Sequence, residues 1–126
     1  MLKLRCINIV SQTPEKLVEF YEAVFETSAN QLVPGRWELP VGNITLVFTP
    51  TCEKVTVPTD SCGLEFEAED VDAQYARLSR LGIAIELPVT YPWKWRAFGF
   101  RDPDGNNLDF VQYVGDSSRK DGCING

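Results

Sequence analysis

Histidine is absent from all 126 residues of the chain. Catalytic sites for zinc, iron, nickel or manganese are built from imidazole and carboxylate ligands with an open position, so this composition argues against such a centre. The usual neutral-pH general base is missing too. Only Asp, Glu, Cys or Tyr with a shifted pKa is left to move a proton. Basic residues are scarce, with 12 Lys and Arg against 18 Asp and Glu and a formal charge of −6. Phosphate backbones and anionic lipid both require clustered Lys and Arg, so neither nucleic acid nor a membrane is expected as a partner. No stretch approaches the roughly 18 to 20 apolar residues of a membrane helix, and Met1-Leu2-Lys3-Leu4-Arg5 lacks a signal-peptide core. The expectation is a soluble, unexported, cytoplasmic protein. Cys6, Cys52, Cys62 and Cys123 share no metal-like spacing and are expected to remain reduced, as small apolar residues.

What is present supports one compact domain with a real core, since 44% of the residues are apolar. Leu2 to Val10 alternates as a strand. Thr13 is expected to cap a helix that carries Pro14 and Glu15 in its first turn and Leu17, Phe20, Tyr21, Val24 and Phe25 as an apolar stripe. Pro34-Gly35, Pro40 and Gly42-Asn43 then divide the chain into short runs, read as strands Trp37–Leu39 and Ile44–Thr49 with a less defined one before them. The same order recurs. Gly63 to Ala68 alternates, Asp70 caps a helix carrying Val71, Tyr75 and Leu78, Gly82 stops it, and strands are expected at Ala84–Leu87, Trp95–Phe100 and Asn107–Val114. A βαβββ unit thus occurs twice, over about residues 1–50 and 62–114, joined by a linker at about 50–61. The tail 115–126 is Gly, Ser, Asp and Lys rich without periodicity and is expected to fray.

The most informative stretch runs from Phe98 to Gln112. Pro103 after Asp102 presets φ at the second turn position and Gly105 supplies a later positive φ, pinning two β-runs into a hairpin. The duplicated unit, Phe20-Tyr21, Asp70-Val71-Asp72-Ala73 and this Asp-Pro-Asp-Gly-Asn hairpin resemble the vicinal oxygen chelate superfamily over about Leu4 to Val114. That group includes glyoxalase I, extradiol dioxygenases, fosfomycin resistance enzymes and bleomycin resistance proteins. Pro92-Trp93, Arg96 and Phe98 ahead of the hairpin are most similar to the bleomycin-resistance branch. The resemblance implies an α+β fold of two curved mixed sheets, each with a helix on its convex face, forming a cleft, and a homodimer. In relatives a divalent metal sits on the first and last strands of the units. Carried over by register, those positions are Cys6, Val47, Gly63 and Asp109, of which only Cys6 and Asp109 could ligate. No metal, no other cofactor and no catalytic residue are therefore assigned.

A cleft remains. Asp109 points away from Leu108 and Phe110, and Gly63 and Glu65 face the same side if Leu64 and Phe66 pack on the helix. Cys6 and Asn8, with Val47 beside them, face the corresponding side of the first unit if Ile7 and Ile9 pack inward. Trp37, Tyr91, Trp93 and Trp95 lie near, and indole faces attract cations while carboxylates add charge complementarity. The ligand-binding set is Cys6, Asn8, Val47, Gly63, Glu65, Trp93, Trp95 and Asp109, for a small organic molecule, cationic or aromatic, bound without being transformed. Two alternatives stay open: a metal-independent isomerase or lyase using Glu65 or Asp109 as base, and a structural or regulatory dimer with a vestigial pocket. Glu65 and Asp109 also read as solvated carboxylates, Cys6 as a buried small residue, and Trp93 and Trp95 as a dimer seal. Trp95 sits in a run that is apolar on both parities, so alternation leaves its face open.

Overall fold

Alternation in the first strand sets which side of its sheet is covered. In β1 (Cys6–Ser11) Ile9 and Ser11 are buried while Asn8 and Val10 are exposed, as in a strand with one protected face. The computed structural model describes residues 1–57 and 62–115. These form two compact units, one of residues 1–57 with Asp102–Gly105, the other of residues 62–101 and 106–115. Each unit runs β-α-β-β-β, so the fold is α+β and duplicated.

In the first unit β1 is followed by α1 (Pro14–Phe25), β2 (Asn30–Val33), β3 (Arg36–Val41) and β4 (Ile44–Pro50). The strand order is β1-β4-β3-β2, with β1 and β4 parallel and the other pairs antiparallel. Leu17, Val18, Tyr21 and Val24 are buried on α1, which packs on β4, β1 and β3. The Tyr21 ring lies 5.0 Å from that of Phe48 on β4. Thr13 does occupy the position before the helix, but its side chain makes no capping bond; instead the Ser11 hydroxyl accepts from the Thr13 N–H at 2.9 Å. The buried Ser11 hydroxyl thus finds a partner at the helix entrance.

The second unit repeats the plan with β5 (Gly63–Glu67), α2 (Val71–Arg80), β6 (Val89–Thr90), β7 (Trp95–Arg101) and β8 (Asn107–Tyr113), in strand order β5-β8-β7-β6. Asp70 caps α2 through a 3.1 Å bond from the Ala73 N–H, and Gln112 accepts from the Val71 N–H at 2.9 Å, so two of the orphan amides of the first turn are satisfied. Gly82, at φ 83°, follows the helix end. Tyr75 packs edge-on against Phe98, with centroids 5.9 Å apart, and Leu108, Phe110 and Phe100 complete the apolar face beneath the helix. Arg96 reaches from β7 to Asp72 with two 2.8 Å bonds, and the guanidinium holds that carboxyl below its usual range. Among the described residues no helix is long and apolar enough to cross a membrane.

Several expected boundaries move. β1 begins at Cys6 rather than Leu2, and Leu2 and Leu4 are exposed. The strand expected at Ala84–Leu87 reduces to one bridge, Ile85 to Phe100, and the edge strand forms at Val89–Thr90 instead. Pro88 lacks an N–H and interrupts the ladder between them. The less defined strand before Trp37 is β2, exposed throughout and with a register shift between Gln31 and Val33, which erases its alternation. Of the tail 115–126 only Gly115 lies within the described residues, and Cys123 lies outside them.

The Asp102–Gly105 turn explains its own sequence. The Asp102 carboxylate accepts from the Asp104 N–H at 2.9 Å, its carbonyl accepts from the Gly105 N–H at 2.9 Å, and Gly105 takes φ 97°. The second carboxylate oxygen accepts a 2.8 Å bond from the Tyr21 hydroxyl, and Asp102 is buried. Burial, then the Asp102 charge, raises the Tyr21 phenol far above its ordinary value, so it stays a donor. A hydrogen bond to a buried charged group contributes about 1.5–3 kcal/mol. Tyr21→Phe is therefore expected to lower stability by about that amount in urea unfolding, and an unchanged midpoint would show that this bond contributes nothing.

Candidate functional site

Three strands of the second sheet place one row of residues on the face turned away from α2. Glu65 pairs with Asp109, and Asp109 with Gly99, so a carboxylate, a carboxylate and a bare backbone stand side by side across β5, β8 and β7. Neighbouring strands lie about 4.8 Å apart, which puts Glu65 and Asp109 within mutual Coulombic reach. The next rows carry Val111 with Ala97, then Tyr113 with Trp95. Register thus settles the face of Trp95: it shares the side of Asp109, and its ring lies 5.5 Å from that of Tyr113. Gly63 stands one row the other way, opposite Asn107.

Gly99 is the position that lets the carboxylates converge. A Cβ there would lie 2.8 Å from Asp109 Oδ1 and 3.2 Å from Glu86 Oε1, so one or both carboxylates would have to shift to admit it. Glu86 was not legible as a site residue, because it sits in a segment expected to be a regular strand. The Glu86 N–H donates to the Gly99 carbonyl at 3.2 Å, and this bond together with the Ile85–Phe100 bridge fixes the segment beside β7. The sequence signal that points to Glu86 is its parity: it alternates with Ile83, Ile85 and Leu87.

The cluster shows in the protonation of Asp109. Burial raises its carboxyl above the usual range, and the charges of Glu65 and then Glu86 raise it further. Two cavities meet at this residue. One of about 900 Å³ is lined by Glu86, Gly99, Phe100, Asn107 and Asp109, with Cys62 and Gly63. The other, about 590 Å³, is lined by Glu65, Tyr91, Trp93, Trp95, Ala97 and Asp109. Tyr91 and Trp93 stack at 4.7 Å and 13° on the turn before β7, where Lys94 takes φ 74° and donates its N–H to the Tyr91 carbonyl at 3.0 Å. Trp93 is 63% exposed, so this stack forms an outer wall.

The first-unit candidates lie on their own sheet. Cys6 pairs with Thr45 and is half-buried; Asn8 pairs with Val47, is exposed, and accepts a 3.2 Å bond from the Thr49 hydroxyl. Val47 is fully buried and offers no surface to a ligand. For a metal of the kind the resemblance implies, the donor set does not fit: Val47 presents hydrocarbon, Gly63 no side chain, and among the described residues no three His, Cys, Asp or Glu groups converge on a common ion position.

The raised carboxyl of Asp109 has a thermodynamic consequence. A folded-state value above the unfolded one, near 3.8, favours the protonated form in the native state, so the contribution is fully present below that value and is lost as pH rises through the folded one. At neutral pH the ionised Asp109 therefore opposes folding. Asp109→Asn is expected to raise the melting temperature at pH 7, with the gain vanishing below about pH 4. A variant less stable than the parent at pH 7 would contradict this electrostatic picture.

Comparisons with known proteins agree with this architecture. The family profile described as the Glyoxalase/Bleomycin resistance protein/Dioxygenase superfamily matches residues 3–110. A virulence protein from Salmonella typhimurium is similar in structure, with a TM-score of 0.73 at 24% identity, covering 90% of this chain and 98% of that one. An integron cassette protein from the mobile metagenome of V. cholerae gives 0.71 at 22%, covering 90% and 97%. A lactoylglutathione lyase from Agrobacterium tumefaciens gives 0.67 at 19%, covering 87% and 92%. No curated protein matches the chain. At these identities the structures share the fold, and the profile, which spans most of the residues, shows that the chain belongs to the glyoxalase/bleomycin resistance protein/dioxygenase superfamily.

Proposed function

We propose that the face of the second sheet turned away from α2 binds a small organic cation carrying an aromatic plane, and holds it without chemical change. One observation carries this reading: Glu65 and Asp109 share a cavity of about 590 Å³ with Tyr91, Trp93 and Trp95. Indole and phenol faces attract a cation by their quadrupoles, at about 0.5–2 kcal/mol per contact. Carboxylates beside them add Coulombic attraction that a partly buried site screens less than open water does. The likeness of Pro92-Trp93 and the hairpin to the sequestering bleomycin-resistance branch supports the same reading, and the homodimer expected from that branch belongs to the proposal.

A second reading rests on Asp109. Its carboxyl is shifted toward the range of a general base by burial and by Glu65 and Glu86. A metal-independent isomerase or lyase would use that group to take a proton from carbon. The aromatic wall gives the binding reading precedence, because flat π-surfaces recognise a ligand and contribute nothing to proton transfer. The open cavities at Asp109 favour both over a vestigial pocket.

Titrating the protein with an aminoacridine cation at pH 7 is expected to quench tryptophan fluorescence with micromolar affinity and to return the compound unaltered. Asp109→Asn and Trp95→Ala are each expected to weaken binding about tenfold, as losing one charged or cation–π contact implies. Absence of binding, or an affinity in both variants equal to that of the parent protein, would refute the reading. A converted compound would favour the proton-transfer reading instead.

A further inference from the structure

The larger cavity adjoins the aromatic one, because Asp109 lines both. Along β7 the residues on this face are Trp95, Ala97, Gly99 and Arg101, so side-chain bulk falls from indole to methyl to hydrogen before rising again at Arg101. The result is a trough that runs from the aromatic wall to the bare backbone of Gly99, with Arg101 beyond it. At Gly99 the Asp109 Oδ1 and Glu86 Oε1 lie 2.8 and 3.2 Å from the point where a Cβ would sit, so the two oxygens are no more than about 6 Å apart. One donor group seated against both carboxylates can bridge oxygens at that separation. Among the described residues neither Asp109 nor Glu86 has a basic side chain within ion-pair distance. Arg101, which also lines the larger cavity, lies one row further along, opposite Asn107.

Resting on the reading above, the geometry points to a ligand whose charged group is an N–H donor, a primary ammonium or an amidinium, seated over Gly99 between Asp109 and Glu86 with its aromatic plane against Trp95. Trp95 and Gly99 are four residues apart on one strand, about 13 Å, so a short aliphatic arm joins the two parts. Shape and chemistry decide between cations here. A primary ammonium donates to both carboxylates at once, and charge-assisted bonds of this kind are about twice as strong as neutral ones. A quaternary ammonium has no N–H, and its methyl groups keep the charge away from both oxygens. Glu86 is thus the specificity-determining residue, selecting the donor cation over a quaternary one of equal charge.

The test compares two derivatives of the same aminoacridine by isothermal titration, one with an aminobutyl arm and one with a trimethylammoniobutyl arm. The primary amine is expected to bind about tenfold more tightly than the quaternary one. In Glu86→Gln that ratio is expected to fall below about threefold, and Asp109→Asn is expected to close it similarly. Glu86 is exposed, so its substitution leaves the core untouched. Equal affinities for the two arms, or a ratio that survives Glu86→Gln, would overturn this inference while leaving the aromatic-cation reading standing. Failure of both derivatives and of the parent compound to bind would overturn that reading and this inference together.

Discussion

The pairing of Gly99 with Asp109 across β7 and β8 is the constraint on which the site depends. A side chain at residue 99 would displace the Asp109 and Glu86 carboxylates that converge there. Asp109 and Glu86 converge over the bare glycine, and Glu65 joins them beside Asp109, so three acidic groups crowd one patch of a sheet whose other face is packed with phenylalanine. Burial and the neighbouring charges raise the Asp109 carboxyl, and perturbed carboxyls of this kind cluster at functional sites. The same absence of a side chain shapes the trough that runs back to Trp95.

Scaffold and site draw on different residues. The Asp-Pro-Asp-Gly turn, the stretch of sequence that speaks most clearly for the superfamily, serves structure: Asp102 closes its own turn and accepts the Tyr21 hydroxyl from a residue 81 positions away. Asp109 comes a few residues later and faces open space rather than the core. A motif that identifies the fold is thus silent about the ligand, and Val47 and Gly63, at positions where the resemblance implies metal ligands, offer no donor side chain.

Much of this is legible in the sequence. Helical spacing located both helices, and strand alternation placed Glu65 and Asp109 on one face, because each rests on a period that local sequence displays directly. What escaped had non-local causes. Trp95 lies in a run apolar on both parities, so only its pairing with Tyr113 fixes its face. Glu86 belongs to a segment held by a single bridge and one backbone bond, and Pro88 shifts the paired residues downstream. Thr13 has the composition of a cap, yet Ser11 supplies the oxygen, since tertiary burial of Ser11 demands a partner.

Backbone amide shifts recorded during titration with the aminoacridine cation test the central claim most directly, because they report where the compound sits residue by residue. Perturbations concentrated at Glu65, Trp95 to Gly99 and Asp109 are the predicted result. Shifts confined to the first sheet or to the helix-bearing faces, or none at all, would contradict a ligand site built around the bare backbone of Gly99.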